Sequence, residues 1–206
     1  MKQARTVIAI LMLVAAAGGF WFALQSGYFG PLSDSAKQAG KIKIGGPFEL
    51  VDHWGEKVTD ADFKGANTLI FFGYTFCPDV CPTTLTNLST ALDILGDDAA
   101  DMNVLFISVD PERDKPEYLK DYLQHFHPAI IGLTGDPIQI KKVAKAYGVY
   151  YAKAQEDGAE PDDYYMDHTA LVFMMGTDGE YKAHFSHTTE PEAIVAKIRE
   201  NFQPGL

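Results

Sequence analysis

The sequence predicts an α/β domain in which a central mixed sheet is flanked by helices, within a chain of 206 residues. Short, continuous apolar runs alternate with segments whose apolar residues recur at helical spacing, a pattern typical of strands buried between helices. Near the C-terminus, two strand-like runs are joined by a loop that contains Asp178-Gly179, a hairpin signal. The length is sufficient for one domain with a substantial core.

The predicted strands are short and apolar. They cover residues 69–72, 104–109, 130–131, 171–175 and 181–185. The first of these, Leu69 to Phe72, has four apolar residues in succession, as expected for a strand that is buried on both faces.

Four amphipathic helices are predicted between and after these strands. The first begins at Pro82, because proline is favoured at the first helical position, and ends before Gly96. The others follow a capping-box-like pair Asp114 and Glu117, Pro137, and a cap at Thr189 with Glu192. Strands and helices in this order, closed by a hairpin and a last helix, are typical of a thioredoxin-like fold.

The N-terminus predicts a membrane anchor. Residues 6–24 carry no charge, and 19 helical residues span about 28 Å, close to the thickness of a bilayer core. Cleavage as a signal peptide after Ala15-Ala16-Ala17 is the alternative, but the apolar run continues through Phe20-Trp21-Phe22. We therefore expect residues 1–5 in the cytoplasm, an uncleaved single-pass anchor at 6–24, a tether at 25–44 and the folded domain at 45–206.

Charge gives the expected orientation and excludes one class of partner. Lys2 and Arg5 precede the apolar run, which favours a bacterial inner-membrane protein with its C-terminal domain in the periplasm. The net charge of −11 becomes −13 once these two cations are set aside. Nucleic acid is a poor partner for such a chain, because phosphate contacts require clusters of Lys and Arg.

The only two cysteines, Cys77 and Cys81, lie four positions apart. Haem attachment requires Cys-x-x-Cys-His and a thioredoxin redox motif has two intervening residues, so the spacing matches neither. The predicted elements place Cys77 to Cys81 as a loop over the start of a helix, where free N–H groups favour thiolates. A structural disulfide is the alternative, but so short a loop gains little from one. We expect a functional pair, as metal ligands or a reversible dithiol, with neither cysteine deep in the core.

His168 is the candidate third ligand. It directly precedes a predicted core strand, so it reaches the cysteine loop only if the segment Gln155 to Met166 folds over. Two sulfurs and an imidazole suit copper better than magnesium or calcium. Two thiolates alone can hold Cu(I), whereas Cu(II) prefers nitrogen ligands.

Three segments together resemble the Sco/SenC (PrrC) family. They are FFGYTFCPDVCP from Phe71 to Pro82, FISVDPERD from Phe106 to Asp114, and Asp167-His168-Thr169. The resemblance implies a membrane-tethered, thioredoxin-fold metallochaperone that helps assemble the dinuclear copper centre of cytochrome c oxidase. It also implies that Cys77, Cys81 and His168 bind copper, as Cu(I) and Cu(II), and that the two cysteines form a redox disulfide. The implied partners are the copper-bearing oxidase subunit, a thioredoxin-like reductase and other periplasmic copper donors.

Two other functions remain open at this point. The same cysteine pair suits a thiol–disulfide oxidoreductase that reduces oxidase-subunit cysteines, or a redox or copper sensor. A peroxiredoxin is disfavoured, because it needs Thr three residues before the reactive cysteine and Tyr74 occupies that place before Cys77. We expect a copper carrier without catalytic turnover.

Overall fold

The computed structural model describes residues 12, 14–15, 17–22, 43–155, 158, 160 and 163–202. The chain divides into two units, residues 1–42 and 43–206. In the first unit the described residues are helical. The predicted anchor at 6–24 lies partly outside the described residues, and within them no helix is long and apolar enough to cross a bilayer.

The second unit contains a seven-stranded mixed sheet. Its strands, in chain order, are β1 Glu49–Asp52, β2 Lys57–Thr59, β3 Asn67–Gly73, β4 Met102–Ser108, β5 Ile130–Thr134, β8 Leu171–Met175 and β9 Tyr181–Ser186. Their spatial order is β2-β1-β5-β4-β3-β8-β9. The pairs β3–β4 and β4–β5 are parallel, while β3–β8 and β8–β9 are antiparallel.

A second sheet has only two strands. β6 Tyr151–Ala154 and β7 Tyr165–His168 pair antiparallel, with Tyr151 opposite His168. At the open end of this hairpin, Thr169 N–H donates to the Tyr150 carbonyl over 3.0 Å, which holds its two ends together.

Four α-helices cover the large sheet: α1 Val80–Leu95, α2 Pro116–Leu123, α3 Pro137–Tyr147 and α4 Pro191–Phe202. The α1 and α4 helices pack against each other, and α2 packs on β5. Phe72 contacts Tyr147 of α3, whereas its neighbour Phe71 contacts Phe106, whose ring meets Tyr122 of α2. Because adjacent residues of a strand point to opposite faces, α2 and α3 cover opposite faces of the sheet. The mixed sheet flanked by helices confirms the predicted fold class.

The first helix begins two residues earlier than predicted. It starts at Val80, so Cys81 lies inside its first turn instead of before the helix, and Pro82 occupies the third helical position. Proline costs nothing there, because the first four N–H groups of a helix have no partner within it.

Both predicted caps flanking α2 and α4 differ from the structure. The helix α2 is preceded by Lys115, and Asp114, predicted as a cap, lies fully buried one residue further back. The helix α4 begins at Pro191, so Glu190, not Thr189, precedes it. The hairpins β1–β2 and β6–β7 were not predicted, because their strands lack continuous apolar runs.

Candidate metal centre

The two cysteines lie where the central strand meets a helix. β3 ends at Gly73, and Cys77 sits in the short connection before α1, whose first turn contains Cys81. Both are free thiols. This is the carboxyl end of a parallel strand, where ligands of open α/β sheets bind.

The start of α1 is directed at a sulfur. The backbone N–H of Cys81, one of the donors without a partner inside the helix, donates to Cys77 Sγ over 3.3 Å. The free N–H groups at the start of the helix were predicted to favour a thiolate, and one of them contacts the sulfur of Cys77.

Cys81 is buried, contrary to our expectation that neither cysteine lies deep in the core. Its side chain is 0% exposed, while Cys77 is half-buried. The Cys81 sulfur fits against the backbone of Gly73. A methyl group at Gly73 would lie 2.7 Å from Cys81 Sγ and 2.6 Å from the Phe106 ring. Helical periodicity places residue 81 on the same inward face as Leu85 and Leu88, and this was the signal in the sequence that could have revealed its burial.

The two thiols differ strongly in acidity. Hydrogen bonds from the Cys81 thiol and backbone lower the pKa of Cys77 to about 5. The bond between the two thiols, together with burial, raises the pKa of Cys81 above its ordinary value. The prediction of lowered thiol pKa values thus holds for Cys77 and is wrong for Cys81. The pair consists of one ready thiolate and one protonated thiol.

His168 faces this pair. Its Nε2 lies 3.7 Å from Cys81 Sγ, and its Nδ1 lies 2.9 Å from the carbonyl oxygen of Met166. A carbonyl can only accept a hydrogen bond, so Nδ1 is the donor to Met166, and Nε2 is the ring nitrogen that faces the sulfur. The edge-on ring of Tyr74, with centroids 5.6 Å apart, packs against the imidazole.

The segment before His168 does fold over the cysteine loop, as its role required. Tyr165 and Met166, at the end of that segment, belong to strand β7, which brings His168 to Cys81. Among the described residues, no three Cys, His, Asp or Glu side chains are already spaced as a complete metal site. With bonds of about 2.0–2.3 Å, as for zinc, two ligands of one ion lie roughly 3.5–4 Å apart, a range that includes the Cys81–His168 separation.

The buried carboxylate of Asp114 fixes the loop that carries Cys77 by hydrogen bonds. Asp114 accepts hydrogen bonds from Thr75 N–H at 3.0 Å, Thr75 Oγ1 at 2.6 Å and Ser108 Oγ at 2.6 Å. Burial raises its pKa above the ordinary aspartate value. Asp114 therefore connects Ser108, at the end of β4, to Thr75, two residues before Cys77. The sequence pattern had instead predicted Asp114 as a helix cap.

A second charged group lies at the rim. Arg113 pairs with Asp110, its Nε 2.5 Å from Oδ2, and its guanidinium carbon lies 3.6 Å from the Tyr164 ring centroid. The same carbon lies 4.6 Å from the centroid of Phe76, the residue before Cys77. We call these four residues the Arg113 cluster.

Comparison with known proteins decides the family. The family model described as SCO1/SenC matches residues 36–203. This chain belongs to the SCO1/SenC family.

Relatives within the SCO1/SenC family include proteins of known structure. A SCO2-like protein of Rickettsia felis is 41% identical over 160 residues, which are 78% of each chain. The copper-bound structure of ScoI from Bradyrhizobium japonicum is 48% identical, with a TM-score of 0.71 over 77% of this chain and 99% of that one. The copper-bound structure of yeast Sco1 is 34% identical, with a TM-score of 0.72 over 80% of this chain and 91% of that one.

Proposed function

We propose that this protein is a copper metallochaperone that holds the ion between Cys77, Cys81 and His168. The observation that carries the proposal is the meeting of His168 Nε2 with the sulfur of Cys81, two ligand types that suit copper, across 87 positions of chain. The family membership and the two copper-bound relatives support the choice of metal.

The different pKa values of the two thiols determine the order in which the three proposed ligands bind the ion. Cys77 is already a thiolate at neutral pH, so it is the first sulfur available to an incoming ion. Cys81 must lose its proton as the ion is bound, because the thiolate is the ligand form. The protonated Nδ1 of His168 keeps Nε2 free to close the site.

The cargo and its destination follow from the family resemblance. We propose that the protein serves the copper-bearing subunit of cytochrome c oxidase, where the dinuclear centre is assembled. A thioredoxin-like reductase would keep Cys77 and Cys81 reduced, and other periplasmic copper donors would supply the ion. The N-terminal run at 6–24 would tether the domain to the periplasmic face of a bacterial inner membrane.

Copper titration of the reduced, full-length protein tests the ligand set. Cys77→Ser and Cys81→Ser should each abolish tight binding of both oxidation states, because two thiolates hold the soft ion. His168→Ala should weaken Cu(II) binding much more than Cu(I) binding, and should shift the sulfur-to-copper charge-transfer band. His187→Ala, which alters an imidazole elsewhere on the chain, is the matched control.

Equal losses for Cu(I) and Cu(II) in His168→Ala would keep His168 in the ligand set but contradict its selectivity for Cu(II). Two results would contradict the ligand set itself. No loss for either oxidation state in His168→Ala would remove His168 from the site. Oxidation of Cys77 and Cys81 to a disulfide should block loading, so retained copper in the oxidised protein would also count against the proposal.

A thiol–disulfide oxidoreductase is the second candidate, and the low pKa of Cys77 favours it. A half-buried thiolate next to a protonated thiol has the arrangement needed to attack a disulfide and then resolve it. Reduction of a disulfide in an oxidase-subunit peptide by the copper-free protein, at a rate abolished by Cys77→Ser, would support this activity.

A further inference from the structure

The hairpin that carries His168 is hydrogen-bonded as a separate two-stranded sheet, outside the seven-stranded sheet that ends at the cysteine loop. Its strands β6 and β7 pair with each other. The position of the imidazole relative to the sulfurs therefore depends on side-chain contacts of the hairpin with the rest of the domain, as well as on the short connection from His168 to β8. The Arg113 cluster is such a contact.

Arg113 contacts residues on both sides of the proposed site, one next to Cys77 and one just before the strand that ends at His168. Its guanidinium carbon lies 3.6 Å from the Tyr164 ring, at the base of strand β7, and 4.6 Å from the Phe76 ring, next to Cys77. Planar guanidinium groups stack on aromatic faces, so one cation can attract two rings at once. The contact joins Phe76, the residue before one proposed ligand, to Tyr164, the residue before the strand that ends at another.

The guanidinium is itself fixed to the large sheet. Its Nε pairs with Asp110, which follows β4, over 2.5 Å, and its Nη1 donates to the Tyr164 carbonyl over 3.0 Å. The Tyr164 hydroxyl donates in turn to the other oxygen of Asp110 over 2.9 Å. Tyr164 is thus held by its ring, its hydroxyl and its backbone.

The Arg113–Asp110 ion pair is more buried, and therefore stronger, than the neighbouring Lys153–Glu112 pair. The side chains of Arg113 and Asp110 are 14% and 1% exposed, so water and salt screen their interaction little. Lys153 also lies over the Tyr164 ring, at 4.4 Å, and pairs with Glu112, but both side chains are about half exposed. Exposed pairs of this kind contribute little, and of these two cations only Arg113 also lies over the Phe76 ring.

We propose that Arg113 is a positioning residue that couples the His168 hairpin to the cysteine loop and keeps the imidazole within reach of the sulfurs. This inference rests on the proposed role of His168 as a ligand. Arg113 itself does not bind the ion in this proposal.

The test compares Arg113→Ala with Lys153→Ala in the full-length, reduced protein. Both variants remove one cation from the same aromatic ring, but only the first disconnects Phe76 from Tyr164. Arg113→Ala should lower the affinity for Cu(II) about tenfold, the scale of a desolvated cation–π contact, and change the affinity for Cu(I) less than about twofold. Lys153→Ala should leave both affinities within about twofold.

A second background separates positioning from general destabilisation. In His168→Ala, the further change Arg113→Ala should leave Cu(II) affinity unaltered, because the group that Arg113 positions is gone. A general structural role would lower the affinity for both oxidation states and persist in the His168→Ala background. That result would overturn the proposal.

A metal-free measurement distinguishes failure of this inference from failure of the proposed function. Amide hydrogen exchange of residues 163–168 should be several-fold faster in Arg113→Ala than in Lys153→Ala, with β3 and β4 unchanged. Faster exchange with copper binding independent of His168 would overturn the ligand assignment alone. Unchanged exchange would overturn the coupling by Arg113. Should Arg113→Ala not fold, Arg113→Lys keeps the charge, loses the planar stacking, and should show the same selective loss.

Discussion

At the scale of single residues, the chemistry of the site comes from two neighbouring sulfurs in unlike surroundings. Cys77 is half-buried beside helix N–H groups, and Cys81 is enclosed by Gly73 and the core. The same residue type therefore supplies a ready thiolate at one position and a protonated, packed thiol four positions later. Substitutions at the two positions should accordingly differ in their effect on stability.

Cys81→Ser should destabilise the reduced, metal-free protein more than Cys77→Ser. A hydroxyl at the fully buried position costs about 1–3 kcal/mol if it finds no partner, while the half-buried position can keep its hydroxyl in contact with water. Urea unfolding followed by circular dichroism measures both. Equal free energies of unfolding for the two variants would show that burial of the Cys81 sulfur does not contribute to the stability of the domain.

His53 should make the domain sensitive to mild acid. Its side chain is 8% exposed, and its Nδ1 accepts a hydrogen bond from Gly132 N–H over 2.9 Å. Burial lowers its pKa below the ordinary value of 6.5. Below about pH 6.5 the unfolded chain then binds more protons than the folded one, so the free energy of unfolding falls as the pH decreases toward the folded-state pKa.

His53→Asn tests this pH dependence, since its amide oxygen can accept the same bond and does not titrate. The free energy of unfolding, measured between pH 7.5 and 5.5, should decrease less steeply in His53→Asn than in the parent protein. The other five histidines are unchanged in the variant and serve as an internal control. An identical slope would assign the acid sensitivity to other groups.

At the scale of elements, the site depends on how closely strand β3 and helix α1 approach. Glycine at the end of β3 permits the contact, because an added methyl would overlap the Cys81 sulfur and the Phe106 ring. The approach brings the first turn of α1 against the sheet and aims its backbone N–H at Cys77.

Gly73→Ala should destabilise the domain by about 1–3 kcal/mol and change the reactivity of Cys77. Gly132→Ala is the matched control, because its methyl would lie 2.6 Å from Leu123, inside the same sheet but away from the sulfurs. Both variants should lower the free energy of unfolding. Only Gly73→Ala should alter the rate at which Cys77 reacts with iodoacetamide near its pKa, and a rate equal to that of Gly132→Ala would contradict this.

The elements with strong periodicity could be predicted from sequence, and those fixed by distant contacts could not. Continuous apolar runs revealed β3 and β4, and helical spacing revealed α1 and α3 within two residues of their observed bounds. The strands β6 and β7 are polar and half exposed, so their pairing leaves no apolar run to detect.

Within the site, the identities of the candidate metal ligands could be predicted from the sequence, but the burial and the contacts of their side chains could not. The cysteine pair and the family resemblance singled out Cys77, Cys81 and His168, whereas spacing alone could not show that the imidazole would approach the sulfurs. The burial of Cys81 depends on Gly73 and Phe106, and the role of Asp114 depends on Thr75, 39 positions away. Such contacts exist only in the folded sheet, so local patterns such as a capping box can mislead.

At the scale of the whole molecule, the chain combines an acidic domain with an apolar N-terminal run. The net charge is −11, and Lys2 and Arg5 precede the apolar run in the sequence, whereas the domain follows it. An acidic domain of this kind attracts a basic partner surface and associates with it faster at low ionic strength.

The full-length protein should remain with the membrane fraction after an alkaline wash, because residues 6–24 are long enough to span the bilayer core. A variant lacking residues 1–24, exported with a cleavable signal, should appear in the soluble periplasmic fraction. Recovery of a mature chain that starts beyond Ala17 in the soluble fraction of the parent strain would contradict an uncleaved anchor.

The pairing of β3 with β8 also sets when the site can form during synthesis. Phe71 lies opposite Val172, 101 positions later in the chain, and His168 ends β7, three positions before the first residue of β8. Contacts between such distant positions form slowly, because a long loop must close before the pairing is stabilised. A nascent chain that has emerged only through α3 displays both thiols before His168 has been synthesised. In the periplasmic location that we propose, protection of these thiols before translation ends would fall to the export machinery and to periplasmic reductants, not to the fold.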